Sequence, residues 1–175
     1  MRTHLILSLI LAMAAIASAE PARTVCFTGT QKVTVGTTDI ATRTVLERTY
    51  DPAKNEIRQR TWSDKDPSRE SSATSHVDPA ANTMTVEDPT TGAKGTGKLE
   101  GKAWHWTALK MTITAGGATI ETSSTMTDTA IHQQGTISQG GAKVGTLVGE
   151  MTAFNCKQLD AKKKELSKPA AAPKK

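Results

Sequence analysis

The sequence predicts an all-β domain whose antiparallel strands, about ten of them, form an up-and-down meander that closes into a barrel. Threonine and valine are frequent between Cys26 and Cys156, and both residue types favour strands. Turn signals interrupt this region at intervals of roughly ten residues, which is typical of short hairpin-connected strands. No long helical period occurs in it.

The turns are the strongest local signals. Three of them, at 51–55, 78–82 and 88–92, share the order Asp-Pro and then Asn or Gly. The Asp side chain accepts backbone N–H groups, Pro presets φ, and Asn or Gly adopts the left-handed conformation that closes a bulged hairpin. Further turns are expected at 100–101, 115–117 and 139–141. The predicted strands are 24–35, 39–50, 56–62, 72–77, 83–87, 93–99, 102–114, 118–127, 129–137 and 142–154.

The first nineteen residues are typical of a cleavable signal peptide. Arg2 precedes an apolar run at 5–16, and the small residues Ala17, Ser18 and Ala19 follow it. The apolar run is shorter than the roughly 20 residues that span a bilayer as a helix, so no transmembrane segment is expected. We therefore predict a periplasmic or secreted protein with a signal peptide at 1–19 and a folded domain at 20–156.

Cys26 and Cys156 are the only cysteines. An isolated pair in an oxidising compartment usually forms a disulfide bond. Such a bond brings the first and last strands together, which favours closure of the meander and removes its exposed edges. A two-sheet sandwich is the alternative, because it also accommodates a terminal disulfide.

The positive charge of the chain is concentrated after the second cysteine. The net charge is +5, and segment 157–175 carries seven lysines against two acidic residues, whereas 20–156 carries 14 basic and 15 acidic residues. The Lys, Ala and Pro composition of 157–175 predicts a disordered tail. Its two interpretations are attraction to an anionic envelope surface and a solubilising end without a partner. Nucleic acid is not an expected partner, because the tail lacks stacking aromatics.

The strand that starts near Lys102 has an irregular alternation. Leu109, Met111 and Ile113 share one face of a regular strand, and Trp104 and Trp106 fall on the other. A bulge near residues 107 and 108 shifts the register and brings all five to one side. We favour the bulge, because burial of two tryptophans is worth several kcal/mol at about 25 cal/mol per Å².

Several segments of the C-terminal half carry a resemblance. They are Gly95, 101–106 with its Trp-His-Trp, the Met-Thr-Ile-Thr strand at 111–114, Thr127-Asp128 and 140–143. In spacing and aromatic content they resemble uncharacterised bacterial secreted proteins with lipocalin-like β-barrels. The resemblance implies a barrel that holds an apolar ligand, and it implies no particular activity.

The large side chains suggest where such a ligand binds. Aromatic and thioether residues are spread over separate predicted strands, where they either line a cavity or fill the core. The candidate ligand-binding residues are Phe27, Tyr50, Trp62, Met84, Trp104, Trp106, Met111 and Met126.

Catalytic chemistry has little support in the sequence. His76, His105 and His132 lie on different predicted strands without a short metal-binding spacing, and no Gly-x-Ser-x-Gly elbow or phosphate loop occurs. We therefore predict no enzyme, metal or cofactor. The favoured function is an exported, lipocalin-like binding protein for a small apolar ligand. The alternative is an envelope-associated structural or interaction module that uses its cationic tail.

Overall fold

The computed structural model describes residues 21–89 and 91–169. Within them the chain forms strands and then a short helical segment. The strands are β1 (Arg23–Val35), β2 (Thr38–Asp51), β3 (Glu56–Ser63), β4 (Asp66–Asp78), β5 (Thr83–Asp88), β6 (Ala93–Lys102), β7 (His105–Ala115), β8 (Ala118–Met126), β9 (Ala130–Gln139) and β10 (Ala142–Phe154). A 3-10 helix (Cys156–Gln158) and the helix α1 (Leu159–Leu166) follow.

The strands form a closed antiparallel barrel in which each strand pairs with its neighbours in sequence and β1 also pairs with β10. The closing ladder runs from Cys26 opposite Phe154 to Val35 opposite Gly145. The prediction of a closed meander is therefore confirmed, and the sandwich alternative is excluded. Closure satisfies the backbone groups that an open sheet would expose at its edges.

Glycines allow the strands to bend tightly around so narrow a barrel. A Cβ atom placed on Gly29 would lie 1.9 Å from the backbone oxygen of Glu150, and one on Gly97 would lie 2.2 Å from that of Lys110. Any larger residue at these positions would push two paired strands apart. Strand glycines of this kind are typical of barrel corners.

The Asp-Pro turns form as predicted. Asp51 Oδ1 accepts the Ala53 N–H at 3.1 Å, and Asp78 Oδ1 accepts the Ala80 N–H at 2.9 Å. The residue that closes each turn has a positive φ, +50° at Asn55, +52° at Asn82 and +69° at Gly92. Local side-chain chemistry therefore determines these hairpins.

The bulge in β7 is also confirmed. Ala108 pairs with Glu100 on β6, while Trp106 pairs with the next residue, Gly101, so that the intervening residue of β7 has no partner there. The shift turns Trp106 inward beside Leu109, and both side chains are buried. Trp104 precedes the strand, in the turn between β6 and β7, and packs against the core from there.

Strand β4 is longer than the sequence predicts. Its first six residues, 66–71, lie outside the predicted strand at 72–77, but Asp66 pairs with Ser63 across a two-residue turn. Asp64 in that turn is held by Arg43, whose backbone N–H and Nε donate to its carboxylate at 3.1 and 3.0 Å. This long-range contact stabilises a hairpin that local propensity does not favour.

The prediction of a disordered tail from residue 157 is wrong for the part that the structure describes. Helix α1 packs on the outside of the barrel, where Leu166 is buried with Val45 and Trp62 in a small outer cluster that Leu159 also contacts. Leu159 and Leu166 are seven residues apart and therefore share one helix face. The Lys-rich composition obscured this apolar face.

Both ends of α1 are attached to the barrel. Cys156, just before the helix, is bonded to Cys26 with a Cα–Cα distance of 5.3 Å, which confirms the predicted disulfide. At the other end the Arg43 guanidinium donates to the backbone oxygen of Leu166 at 2.9 Å and to that of Lys168. A cation at a helix C-terminus also interacts favourably with the helix dipole. The helix is thus part of the domain.

The proposed signal peptide at 1–19 and the last six residues of the tail lie outside the described residues. In the described part, no helix combines the length and apolar character needed to cross a membrane.

Candidate functional site

The two ends of the barrel differ in how their inward-facing side chains are packed. At one end, called the closed end here, Tyr50 and Trp104 pack with ring centroids 5.1 Å apart, and the neighbouring core residues are buried. At the opposite end, called the open end, Val35 and Ile40 share the inward face of their strands but are 44% and 46% exposed. Solvent therefore reaches the barrel interior from the open end.

A cavity of about 200 Å³ lies in the barrel interior. Most of its lining is apolar, and it is supplemented by the amide side chains of Gln31, Gln59 and Gln133 and by the hydroxyls of Ser75, Thr122 and Ser124. An apolar surface with a few polar groups is typical of small-molecule sites. The apolar lining residues are Leu46, Ile57, Ala73, Met84, Val86, Trp106, Leu109, Met111, Ile113, Ile131 and Met151.

Arg48 is the single charged residue among those that line the cavity in the described chain. It lies on β2 between Leu46 and Tyr50, on the same inward face. Its guanidinium carbon lies 5.1 Å from the ring centroid of Trp106. The Nη1 group donates to Met126 Sδ at 3.1 Å, and Nη2 donates to Gln59 Oε1.

The charge of Arg48 has no acidic partner among the described residues. Its Nε is buried and, within the described residues, has no hydrogen-bond partner. Part of the side chain stays accessible because it borders the cavity. Desolvation by burial lowers the pKa of Arg48 to about 10, so the side chain remains protonated at neutral pH. A buried cation without an acidic partner is costly, and its position in a cavity makes Arg48 a candidate functional residue.

Replacement of this cation should stabilise the empty barrel. We expect Arg48→Met to raise the free energy of unfolding by about 1–3 kcal/mol, because an apolar chain of similar length replaces a desolvated charge with an unpaired donor. Urea unfolding of the two proteins measures the change. The control is Arg58→Met, at an exposed arginine on β3. If Arg48→Met and Arg58→Met lost the same amount of stability, burial of the Arg48 charge would not be destabilising the barrel.

Three of the predicted ligand-binding residues, Met84, Trp106 and Met111, line the cavity. Trp106 is oriented by its indole N–H, which donates to Ser124 Oγ at 3.2 Å. The core also contains Phe27, Tyr50 and Met126, which are buried outside the cavity lining, toward the closed end. These three fill the core, which is the alternative that the sequence left open.

The remaining two tryptophans lie elsewhere. Trp104 is partly buried over Tyr50 at the closed end. Trp62 points out of the barrel and is buried in the outer cluster, where Lys163 of α1 lies 4.5 Å from its ring centroid. The odd positions of β3 face inward with Ile57, so the even position 62 faces outward. Trp62 therefore contacts the helix and not the cavity.

The histidines do not converge. His76, His105 and His132 are exposed on three strands, and His132 Nδ1 pairs with Glu150 on the outer surface. No group of three or more His, Cys, Asp or Glu side chains in residues 21–89 and 91–169 is arranged to hold a metal ion.

Arg48 and Gln59 were missed as site residues. The signal was present in β2, where Leu46, Arg48 and Tyr50 alternate with Val45, Glu47 and Thr49, so that an arginine interrupts an apolar inward face. Gln59 lies opposite Arg48 on β3, a pairing that requires the register of two strands.

The sequence matches no known family description and no curated protein. Comparison with solved structures gives a likeness to the S-type phycobiliprotein lyase CPES from Guillardia theta, at a TM-score of 0.51 and 11% identity, over 74% of this chain and 86% of that one. At this identity the likeness concerns the fold. The prediction that this chain is not an enzyme is wrong as an exclusion, because a phycobiliprotein lyase shares its fold. The chain is a closed, ten-stranded antiparallel barrel, and its likeness to this lyase is one of fold.

Proposed function

We propose that this protein binds a small, mainly apolar ligand in the cavity of its barrel, outside the cytoplasm. The observation that carries the proposal is the asymmetry of the interior. Tyr50 and Trp104 close one end, and apolar side chains such as Ile40 continue the inward face to the exposed opposite end. A ligand would enter at the open end and stop above the buried core. The export part of the proposal is supported by the signal-peptide pattern at 1–19.

The size of the cavity limits the ligand. Its volume of about 200 Å³ is below the range of roughly 300–1,000 Å³ that is usual for drug-sized ligands. A short acyl chain or a single small ring system suits this space. Side chains at the open end are only partly buried, so they offer additional apolar contact to a longer ligand.

The alternative of an envelope module tethered by its cationic tail has fewer available charges than the sequence suggests. Lys162 pairs with Glu165 at 2.9 Å, and Lys163 pairs with Asp160 at 3.5 Å and lies over Trp62. These contacts occupy two of the three consecutive lysines on α1. We therefore favour the binding function.

Titration with 1-aminoanthracene, a small neutral fluorophore, tests the binding function. We expect saturable fluorescence enhancement with the full disulfide-bonded chain. Ala73→Phe, which fills the cavity from β4, should weaken the affinity by roughly tenfold or more. Ser72→Phe is the matched control, because the neighbouring position is exposed on the outer face. Equal binding of the fluorophore by all three proteins would contradict a ligand site in this cavity.

A further inference from the structure

We propose that the ligand is a carboxylic acid whose carboxylate binds Arg48 while its apolar part fills the cavity. This inference rests on the proposed binding function and specifies its ligand class. It is motivated by one feature that the fold does not require, namely a buried guanidinium that lines an apolar cavity without an acidic partner.

The contacts of Arg48 leave binding capacity unused. Nη2 has a good acceptor in Gln59 Oε1, whereas Nη1 faces the thioether of Met126, which is a weak acceptor. The Nε–H has no partner in the described residues. A planar carboxylate matches the guanidinium fork, accepts two N–H groups at once and neutralises the charge. The empty protein therefore lacks a strong acceptor for these N–H groups and a negative charge beside the guanidinium, and a carboxylate supplies both.

The side chains around Arg48 hold it in place for this role. Gln59 donates through Nε2 to Thr61 Oγ1 at 3.2 Å, so its Oε1 is oriented toward Arg48. The Trp106 ring packs against the guanidinium and is itself fixed by Ser124. An arginine with a restrained orientation loses little entropy when it binds a ligand. The same contacts make Trp106 a reporter of events at Arg48.

The neutral character of the remaining lining selects against other ligand classes. A metal ion or an organic cation would meet a positive charge without any carboxylate in the cavity. A neutral apolar molecule would leave the Arg48 charge desolvated and its Nε unpaired, which is unfavourable. A monocarboxylate with a short apolar body satisfies both the charge and the apolar lining.

Octanoate and octan-1-ol, which have the same chain length, test the inference by calorimetric titration of the full disulfide-bonded chain. We expect octanoate to bind about ten- to a hundredfold more tightly than octan-1-ol, as charge-assisted hydrogen bonds imply. Octanoate should also change Trp106 fluorescence, followed in the double variant Trp62→Phe with Trp104→Phe, in which Trp106 is the single tryptophan. Arg48→Met should abolish the preference for octanoate and retain octan-1-ol binding. Arg48→Lys should retain part of the preference for octanoate. Arg58→Met is the control and should behave as the wild type.

The outcomes separate this inference from the proposed function. Equal binding of octanoate and octan-1-ol by the wild type, or a preference that survives in Arg48→Met, overturns the carboxylate site and leaves the binding function intact. Failure of octanoate, octan-1-ol and 1-aminoanthracene alike to bind the wild type overturns the binding function and the carboxylate site together. Retained octan-1-ol binding in Arg48→Met shows that the variant is folded.

Discussion

Reduction of the Cys26–Cys156 disulfide should lower the free energy of unfolding by about 4–5 kcal/mol. The bond joins residues 130 positions apart, and a cross-link that closes so long a loop removes much chain entropy from the unfolded state. It also anchors α1 beside the β1–β10 ladder that closes the barrel. For a domain of this size the change corresponds to a melting temperature lower by roughly 10–15 °C.

Thermal unfolding with and without dithiothreitol measures this effect. The control is the double variant Cys26→Ser with Cys156→Ser, which should melt near the reduced wild type and should not respond to the reductant. Equal melting temperatures for the oxidised and reduced wild type would contradict a stabilising role of the bond. Since β1 and β10 also pair through backbone hydrogen bonds, we expect the reduced barrel to remain folded at room temperature.

Truncation of the buried leucine on α1 should have the second largest effect. We expect Leu166→Ala to lower the free energy of unfolding by about 2–4 kcal/mol, because it leaves a cavity between the helix and the outer face of the barrel. Leu166 is 5% exposed and packs with Val45 and Trp62. Urea unfolding measures the loss.

Lys164→Ala is the matched control for this substitution. Lys164 is exposed on the same helix, so its replacement should change stability by less than about 0.5 kcal/mol. If both variants were as stable as the wild type, α1 would not be packed on the barrel. Binding of 1-aminoanthracene by Leu166→Ala should be unchanged at low temperature, because the outer cluster and the cavity lie on opposite faces of the sheet.

The cavity was only partly predictable. Met84, Trp106 and Met111 were identified by their size and type, but those properties do not distinguish a residue that lines a cavity from one that fills the core. Phe27, Tyr50 and Met126 have the same character and are packed toward the closed end. Which of two similar side chains borders empty space depends on how neighbours from distant strands pack against it.

Trp62 and the tail illustrate a second limit of prediction from the sequence. Parity along β3 assigns Trp62 to the outer face, where an exposed tryptophan would be unusual without a covering element. The covering element is α1, which was not predicted because the Lys, Ala and Pro composition of 157–175 is typical of a disordered tail. Leu159 and Leu166 stabilise the helix only by packing on that outer surface. The helix could therefore be predicted only together with the surface that it covers.

The three Asp-Pro turns, the strand number, the β7 bulge and barrel closure followed from the sequence, because they depend on local chemistry and on one covalent bond. The turn expected at 100–101 lies instead at 103–104, after β6. Asp-Pro-x-x-Asn/Gly turns and alternating side chains act over a few residues, and Cys26 and Cys156 connect the two ends directly. The isolation of Arg48, the difference between the two ends of the barrel and the position of α1 were decided by the tertiary structure. They depend on which groups from separate strands meet and on which charge is left without a partner.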